Sequence, residues 1–243
     1  TQFASSAASD VYKRQHEAWG SLARKLAHEI KNPLTPIQLT IDRLKSKYSN
    51  QLSEKDKSNF KENLKIINNQ IKQIEKLVNE FSDFARMPKP IFQKNDLVEL
   101  IIENIKLLQE LDTSINIKFE SNLPIINLES DKEQLSRVFL NLIKNSIESI
   151  QQKVQNDSNT NKKIDIELND HDDHINLTII DTGIGFGNLK SNIKDILNPY
   201  FTTKKNGTGL GLSIVNKIIN DHNGNIEFIP IIDGAKIKII FKK

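Results

Sequence analysis

One histidine in this sequence stands among residues that could support nucleophilic chemistry. It is His28, in the run AHEIKNPL of residues 27–34. The carboxylate of Glu29 could orient the imidazole ring and stabilise its charge while a ring nitrogen attacks phosphorus. Asn32 lies one helical turn further on and could position a water molecule there. Pro33 removes a backbone donor, so we expect a kink just after the histidine. The other histidines suit surface or helix-capping positions: His16, His171, His174 and His222.

Two amide side chains stand four residues apart, at Asn141 and Asn145. Residues with this spacing lie on one face of a helix. Amide oxygens are hard ligands that suit Mg²⁺, which keeps several waters and bridges phosphates. The same pair would also suit an ordinary polar stripe.

A short acidic and glycine-rich turn, DTGIG, directly follows an apolar strand pattern. Asp181 could accept a hydrogen bond from an exocyclic amine such as adenine N6. Gly183 and Gly185 would let the backbone approach a ligand closely. An ordinary turn at the end of a strand would give the same pattern.

Alternate glycines precede a predicted helix at Gly207, Gly209 and Gly211. A loop of this kind can hold phosphates with its amides at the helix N-terminus. Its spacing differs from both the Walker A motif and the dinucleotide-binding fingerprint. Just upstream, Lys204 could reach a phosphate and Phe201 could anchor a lid, although both would also suit a solvated loop.

Two long helices are predicted to carry the histidine. Their apolar residues recur at spacings of three and four over residues 16–48 and 54–86, which favours coiled-coil-like packing. A helical hairpin would leave an apolar stripe over, and pairing two hairpins into a four-helix bundle would bury it. The alternative is a monomeric hairpin that lies on the second domain. We expect residues 1–15 to form an unstructured leader or tag. The predicted stripe comprises Leu22, Leu26, Ile30, Ile37, Ile41, Leu44, Phe60, Leu64, Ile67, Ile71, Ile74, Val78 and Phe81.

The remaining motifs fall in a second predicted domain. Residues 16–87 form the helical domain, a proline-flanked linker covers 88–95, and the second domain covers 96–243. Helices and strands mix there without regular alternation, which indicates an α+β sheet with helices on one face. The predicted helices cover 96–110, 131–151 and 210–221, and the strands 115–120, 164–168, 175–180, 226–229 and 236–241, with a mobile loop at 154–161.

Composition excludes several classes of function. The 243 residues carry 34 basic and 31 acidic side chains, a net charge of +3 without the clustered basic face of a nucleic-acid-binding protein. Cysteine is absent, which excludes disulfides and thiolate metal sites. No run reaches the ~18–20 apolar residues needed to cross a bilayer, and no signal peptide is recognisable. We therefore expect no nucleic-acid partner, and no membrane contact within this part of a longer protein.

The order of these motifs resembles that of the bacterial sensor histidine kinases over residues 16–243. Residues 27–34 resemble the phosphoacceptor box, 141–145 the N box, 181–185 the G1 box, 201–204 the F box and 207–211 the G2 box. Residues 17–19 and 28–39 are similar to nitrogen-regulation kinases of the NtrY type.

This resemblance implies a dimeric helical bundle followed by an α/β-sandwich ATP-binding domain of the GHKL type. It implies that His28 attacks the γ-phosphoryl group of ATP with help from Glu29, and that an aspartate of a response regulator receives the group. It places Asn32 where relatives support phosphatase activity. The implied ligand set is Asn145 on Mg²⁺, Asn141 near the phosphates, Asp181 on adenine, Gly183 and Gly185 around the pocket, Gly207, Gly209 and Gly211 on the phosphates, and Phe201 and Lys204 in the lid.

Three other functions are alternatives to an autophosphorylating kinase. A GHKL ATPase without a protein substrate would explain the nucleotide motifs but not the histidine box. A dimerising scaffold would need neither, and a phosphatase-biased kinase would need both. The resemblance also implies a cytoplasmic fragment of a protein that is anchored in a membrane further upstream.

Overall fold

The computed structural model describes residues 2–48, 51–85, 87–110, 112–157, 161–186, 193–204 and 207–243. The chain forms two compact units. One comprises residues 1–88 with 204–208, and the other comprises 89–203 with 209–243.

The first unit is built on two long helices, α1 (Gln2–Tyr48) and α2 (Glu54–Ala85). Residues 2–15, expected to be an unstructured leader, are helical instead. The segment contains neither glycine nor proline, the two residues that most oppose extension of a helix. Helix α1 also continues through Pro33 and Pro36 without ending.

The two helices pack through apolar residues that recur once every seven positions. Leu34 and Ile41 of α1 are buried together with Leu64 and Ile71 of α2, and Phe60 packs against this cluster. Burying each such side chain is worth about 1.5–3 kcal/mol. Beside the cluster, a line of large apolar side chains remains exposed in the single chain: Leu26, Ile30, Ile37, Leu44, Ile67 and Ile74.

The second unit holds a five-stranded sheet in the order β2-β4-β5-β7-β6. Strand β2 pairs with β4 in parallel, and the other three pairings are antiparallel. The strands are β2 (Asn116–Ser121), β4 (Lys163–Asp170), β5 (His174–Asp181), β6 (Gly224–Ile231) and β7 (Gly234–Lys242). A separate antiparallel pair comprises β1 (Gln93–Asp96) and β3 (Asn127–Ser130).

Three helices cover one face of this sheet: α3 (Leu97–Gln109), α4 (Lys132–Asn156) and α5 (Gly211–Asp221). Alternate residues of the strands point toward them and are buried. The inner face includes Ile164, Ile166, Leu168, Ile175, Leu177, Ile179, Ile237, Ile239 and Phe241. This helix-on-sheet arrangement, after a helical hairpin, confirms the predicted α+β fold class.

Several boundaries differ from the prediction. Helix α4 extends to Asn156, five residues beyond the predicted end, since its last turn contains neither glycine nor proline. The first part of the predicted mobile loop is therefore helical, and residues 158–160 lie outside the described residues. Strands β1 and β3 and a short 3₁₀ helix (Ile193–Leu197) were not predicted, because four or five mixed residues give no readable periodicity.

Candidate active site

Helix α1 presents His28 on its exposed side. The adjacent Ala27 is buried and, further along, Leu34 packs with residues of α2, whereas His28 itself is exposed. The side-chain nitrogen of Asn32 lies 3.3 Å from Nδ1 of His28. The sequence assigned the ring-orienting role to Glu29, which directly follows the histidine. Successive helical residues project about 100° apart, whereas residues four apart share a face, so Asn32 is the better placed of the two.

The Asn32 contact bears on which ring nitrogen of His28 can react. The side-chain amide can donate to Nδ1 through its NH₂ group, or accept from Nδ1–H through its oxygen. In the second arrangement the neutral ring keeps its proton on Nδ1, and the lone pair on Nε2 is available for attack.

In the second unit, α4 carries the two amides on one half-buried face. The helix begins after Asp131, whose side chain accepts from the Gln134 N–H at 3.0 Å. The NH₂ group of Asn141 donates to the Arg137 carbonyl at 2.8 Å. A β-carbon built on Gly211 would lie 3.2 Å from Oδ1 of Asn141. The fold therefore places the amide oxygen of α4 directly against the first residue of α5.

Asp181, the last residue of β5, is 4% exposed, and donors lie within hydrogen-bond distance of both of its carboxylate oxygens. The Ser146 hydroxyl of α4 donates to Oδ2, and the Gly183 backbone N–H donates to Oδ1, each at 2.9 Å. Burial raises the pKa of Asp181, while the hydrogen bonds from Gly183, Ser146 and Ala235 and the charge of Lys153 act against that rise. The site thus contains a buried acceptor of fixed orientation.

The turn after Asp181 packs closely on α4. The Ile184 N–H donates to the Ser149 hydroxyl at 3.0 Å. A side chain at Gly183 would overlap Ser149, and Gly185 has a φ of +67°. These contacts explain why this turn requires glycine and how it stays fixed beside the helix.

The loop before α5 also depends on glycine. Gly209 has a φ of +70°, and its carbonyl accepts from the Tyr200 N–H at 3.0 Å. A side chain at Gly209 would overlap the backbone of Tyr200 and Phe201. Leu210, at the N-cap of α5, is buried and provides no side-chain cap, and the first turn of a helix carries backbone N–H groups that suit anions.

The structure brings some predicted site residues together and separates others. Asn141, Asp181, Gly183 and Gly211 all pack against or belong to α4 and its neighbours within the second unit. His28, Glu29 and Asn32 lie in the first unit. Lys204 and Gly207 also belong to the first unit. The Gly207 N–H donates to the Lys204 carbonyl at 3.1 Å.

Sequence reasoning missed Ser146 and Ser149. Both lie on the inner side of α4, beside the turn that follows β5. The available signal was a pair of hydroxyls three residues apart, the first of them directly after Asn145.

Two family models match this chain over separate segments. The His Kinase A (phospho-acceptor) domain matches residues 18–90, and the histidine kinase-, DNA gyrase B- and HSP90-like ATPase matches residues 130–243. His28 falls in the first segment, and Asn141 and Asp181 fall in the second.

Among curated proteins, nitrogen regulation protein NtrY of Azorhizobium caulinodans is 37% identical over 235 residues, which are 96% of this chain and 30% of that protein. The chain spans about a third of the length of the curated relatives that it matches.

Two solved structures are similar over large parts of the chain. The nucleotide-free catalytic domain of histidine kinase ThkA is 30% identical with a TM-score of 0.54, covering 63% of this chain and 96% of that one. ThkA in complex with response regulator protein TrrA is 26% identical with a TM-score of 0.66, covering 100% of this chain and 67% of that one.

Proposed function

This chain belongs to the sensor histidine kinase family, and we propose that it catalyses ATP-dependent phosphorylation of its own His28. The observation that carries the proposal is the pairing of an exposed histidine on a phosphoacceptor helix with a buried, oriented carboxylate in an ATPase-type domain of the same chain. A GHKL ATPase without a protein substrate would need the carboxylate but not the histidine segment.

The described residues fit an adenine nucleotide. Asp181 supplies a buried acceptor that suits an exocyclic amine. The glycines of the neighbouring turn and loop lie where a side chain would overlap Ser149, Gly234 or the backbone of Tyr200, so glycine is what lets this turn and this loop pack as they do. The uncapped first turn of α5 offers amide donors to phosphate oxygens. We assign Gly183 and Gly185 to the pocket, and Gly207, Gly209, Gly211, Phe201 and Lys204 to the lid and the phosphates.

We assign a magnesium ion to Asn145, with Asn141 beside the phosphates. Both amides lie on one half-buried face of α4, and amide oxygen is a ligand type that Mg²⁺ accepts. When bound, the ion would neutralise charge on the transferred phosphoryl group. Asn145→Ala should abolish Mg²⁺-dependent tightening of ATP binding, measured by calorimetry with and without Mg²⁺. Asn220→Ala, an exposed asparagine on α5, is the matched control; loss of the Mg²⁺ effect in both variants, or in neither, would contradict the assignment.

The reaction at His28 follows from its exposure and its contact with Asn32. A ring nitrogen forms a bond to the γ-phosphorus while the bond between that phosphorus and the β–γ bridging oxygen breaks and ADP leaves. Asn32 holds the ring through Nδ1, and the adjacent carboxylate of Glu29 stabilises the positive charge that develops on the imidazole. We assign both residues positioning roles in this step.

We further propose that the phosphoryl group passes to an aspartate in the receiver domain of a response regulator. The solved complex of ThkA with TrrA supports this partner class, since that histidine kinase was captured with a regulator. In the described residues, no helix combines the length and apolar character needed to cross a membrane. We propose that the whole protein is a membrane-anchored sensor and that this chain is its cytoplasmic part.

A panel of purified receiver domains tests the transfer. The chain is labelled with γ-³²P ATP, freed of nucleotide and mixed with each domain. Label should move to one domain and disappear when its phosphoacceptor aspartate is changed to alanine. Release of inorganic phosphate from ATP without any labelled protein would instead favour the ATPase function. Rapid removal of phosphate from a pre-phosphorylated receiver domain, abolished by Asn32→Ala, would favour a phosphatase-biased kinase.

A further inference from the structure

Ser146 forms an unusual hydrogen bond for a serine in the middle of a helix. Such a hydroxyl normally bonds to the carbonyl four residues earlier. Asn104 and Asn141 show that pattern in this chain, with their NH₂ groups on the carbonyls of Leu100 and Arg137. Ser146 instead donates across to Oδ2 of Asp181, 35 residues away, at 2.9 Å.

The environment of this pair is almost dry. Ser146 is 1% exposed and Asp181 is 4% exposed. A hydrogen bond to a buried carboxylate is stronger than one between neutral groups, because an unbonded charge there loses its hydration without replacement. The second oxygen of Asp181 accepts from the Gly183 N–H at 2.9 Å. Donors therefore approach both oxygens from the protein side and fix the plane of the carboxylate.

The donors on both oxygens determine which groups of a ligand can form a hydrogen bond with Asp181. A carboxylate held in this way is an acceptor only, so it suits an amino group and repels a carbonyl oxygen. A purine with an amino group at position 6 offers a donor, whereas a 6-oxo purine offers an acceptor at the same place. A site that hydrogen-bonds one group discriminates strongly against an analogue lacking it.

We propose that Ser146 is a positioning residue that sets the preference of the site for a 6-amino purine over a 6-oxo purine. The inference rests on the proposed function, since it assigns the base of the nucleotide to Asp181. Ser146 acts through Asp181 and does not itself need to touch the base. Removing its hydroxyl takes one donor away from Oδ2 and lets the carboxylate rotate or hold a proton, and a protonated carboxyl can donate to a 6-oxo group.

The charged groups near Asp181 do not hold the orientation of its carboxylate in place of Ser146. Lys153 of α4 donates to the Thr182 carbonyl at 3.0 Å and also contacts the carboxylate of Asp233 in the β6–β7 turn. On β7, Ala235 is paired with Asp181 and contributes a backbone hydrogen bond to it, which no side-chain substitution removes. Among the described groups on α4, Ser146 is the one that bonds a carboxylate oxygen of Asp181 directly.

The test compares ATP with inosine triphosphate, which differs at the 6-position of the purine. Dissociation constants are measured by calorimetry on the 243-residue chain, on Ser146→Ala and on Ser130→Ala. Ser130 is a fully buried serine on β3, so its variant loses an equivalent hydroxyl away from the site. Ser146→Ala should bind ATP roughly tenfold more weakly and lose most of the preference over inosine triphosphate. Ser130→Ala should keep the parent ratio.

Two results would overturn the inference. A Ser146→Ala variant that keeps the parent ratio of the two dissociation constants would show that the serine only fills space, and would leave the proposed function intact. A parent chain that binds neither nucleotide would overturn this inference and the proposed function together. Thermal unfolding of each variant confirms that the compared proteins are folded.

Discussion

To accept a hydrogen bond from a ligand, Asp181 must be ionised in a buried environment that disfavours the ionised form. Burial raises its pKa, so between the unfolded and folded pKa values the folded chain binds more protons than the unfolded chain. Stability therefore falls as pH rises through that interval, and the ionised carboxylate costs stability at neutral pH. Nucleotide affinity should instead rise with pH over the same interval, because the amino group of the base needs an ionised carboxylate as its acceptor. Function and stability thus make conflicting demands on one residue.

Asp181→Asn separates these two demands. We expect ATP affinity to fall by roughly a hundredfold, because an amide cannot accept on both sides. We expect the melting temperature to stay the same or rise, since a buried ionisable group has been removed. Acidification should weaken ATP binding by the parent more than by the variant, and the variant corrects for titration of ATP itself. A variant with lower stability and unchanged ATP affinity would contradict this account.

The sequence predicted those site residues that lie together in a short motif. Asp181, Asn141 and the glycines stand at fixed spacings, and their types alone suggest a ligand. Ser146 was not readable, because its role depends on a contact across 35 positions that only the packing of α4 on β5 creates. From the sequence, Asn32 was expected to position a water molecule near His28. In the structure its side chain contacts the His28 ring directly, because residues four apart share a face of the helix.

Helix α4 organises the second unit. It carries both asparagines and both serines, and its N-terminal cap also fixes the start of the domain. Asp131 accepts from the Gln134 N–H through one oxygen and from the Ile91 N–H through the other, at 3.0 and 2.8 Å. The Asp131 N–H donates to Nε2 of the buried His222, whose Nδ1 bonds the Ile218 carbonyl. One residue therefore connects the linker, α4 and the end of α5.

Asp131→Ala should lower the free energy of unfolding by about 1–2 kcal/mol, since it removes a cap and a linker contact together. Asp131→Asn keeps one acceptor oxygen and should lose less than half of that amount. Urea unfolding followed by circular dichroism measures both. Equal losses in the two variants would show that charge rather than capping sets the contribution of this residue.

Helices with regularly spaced apolar residues were predicted well from the sequence, whereas short strands of mixed composition were not. The α2 and α5 boundaries agree with the prediction within about one residue, because their apolar positions recur over several turns. Strands β1 and β3 pair through four residues each, and their mixed composition carries no periodic signal. The helical residues 2–15 were missed for a related reason, since an apolar period was required before a helix was assigned.

At the scale of the whole molecule, the first unit leaves a line of large apolar side chains exposed in the single chain. We propose that this line, formed by Leu26, Ile30, Ile37, Leu44, Ile67 and Ile74, packs against a second copy in a four-helix bundle. A hairpin lying on the second domain remains the competing arrangement. The two arrangements predict different results: the average molecular mass of a dimerising chain rises with protein concentration, whereas that of a monomer does not.

Adjacent isoleucines on α2 provide a matched pair for this test. Ile67 belongs to the exposed line, whereas Ile66 projects about 100° away and is also exposed. Ile67→Lys should raise the dimer dissociation constant at least roughly a hundredfold, because it places two uncompensated charges in an apolar seam. Ile66→Lys should leave it unchanged. Sedimentation equilibrium gives both constants, and a monomeric parent chain would contradict the bundle.

The central claim is that His28 receives the phosphoryl group of ATP. Its most direct test is incubation of the chain with γ-³²P ATP and Mg²⁺, beside His28→Ala and the control His171→Ala, which changes an exposed histidine of the second unit. Label that is stable to base and labile to acid should form on the parent and on His171→Ala and be absent from His28→Ala. Label retained by His28→Ala, or no label on a parent chain that binds ATP, would contradict the account.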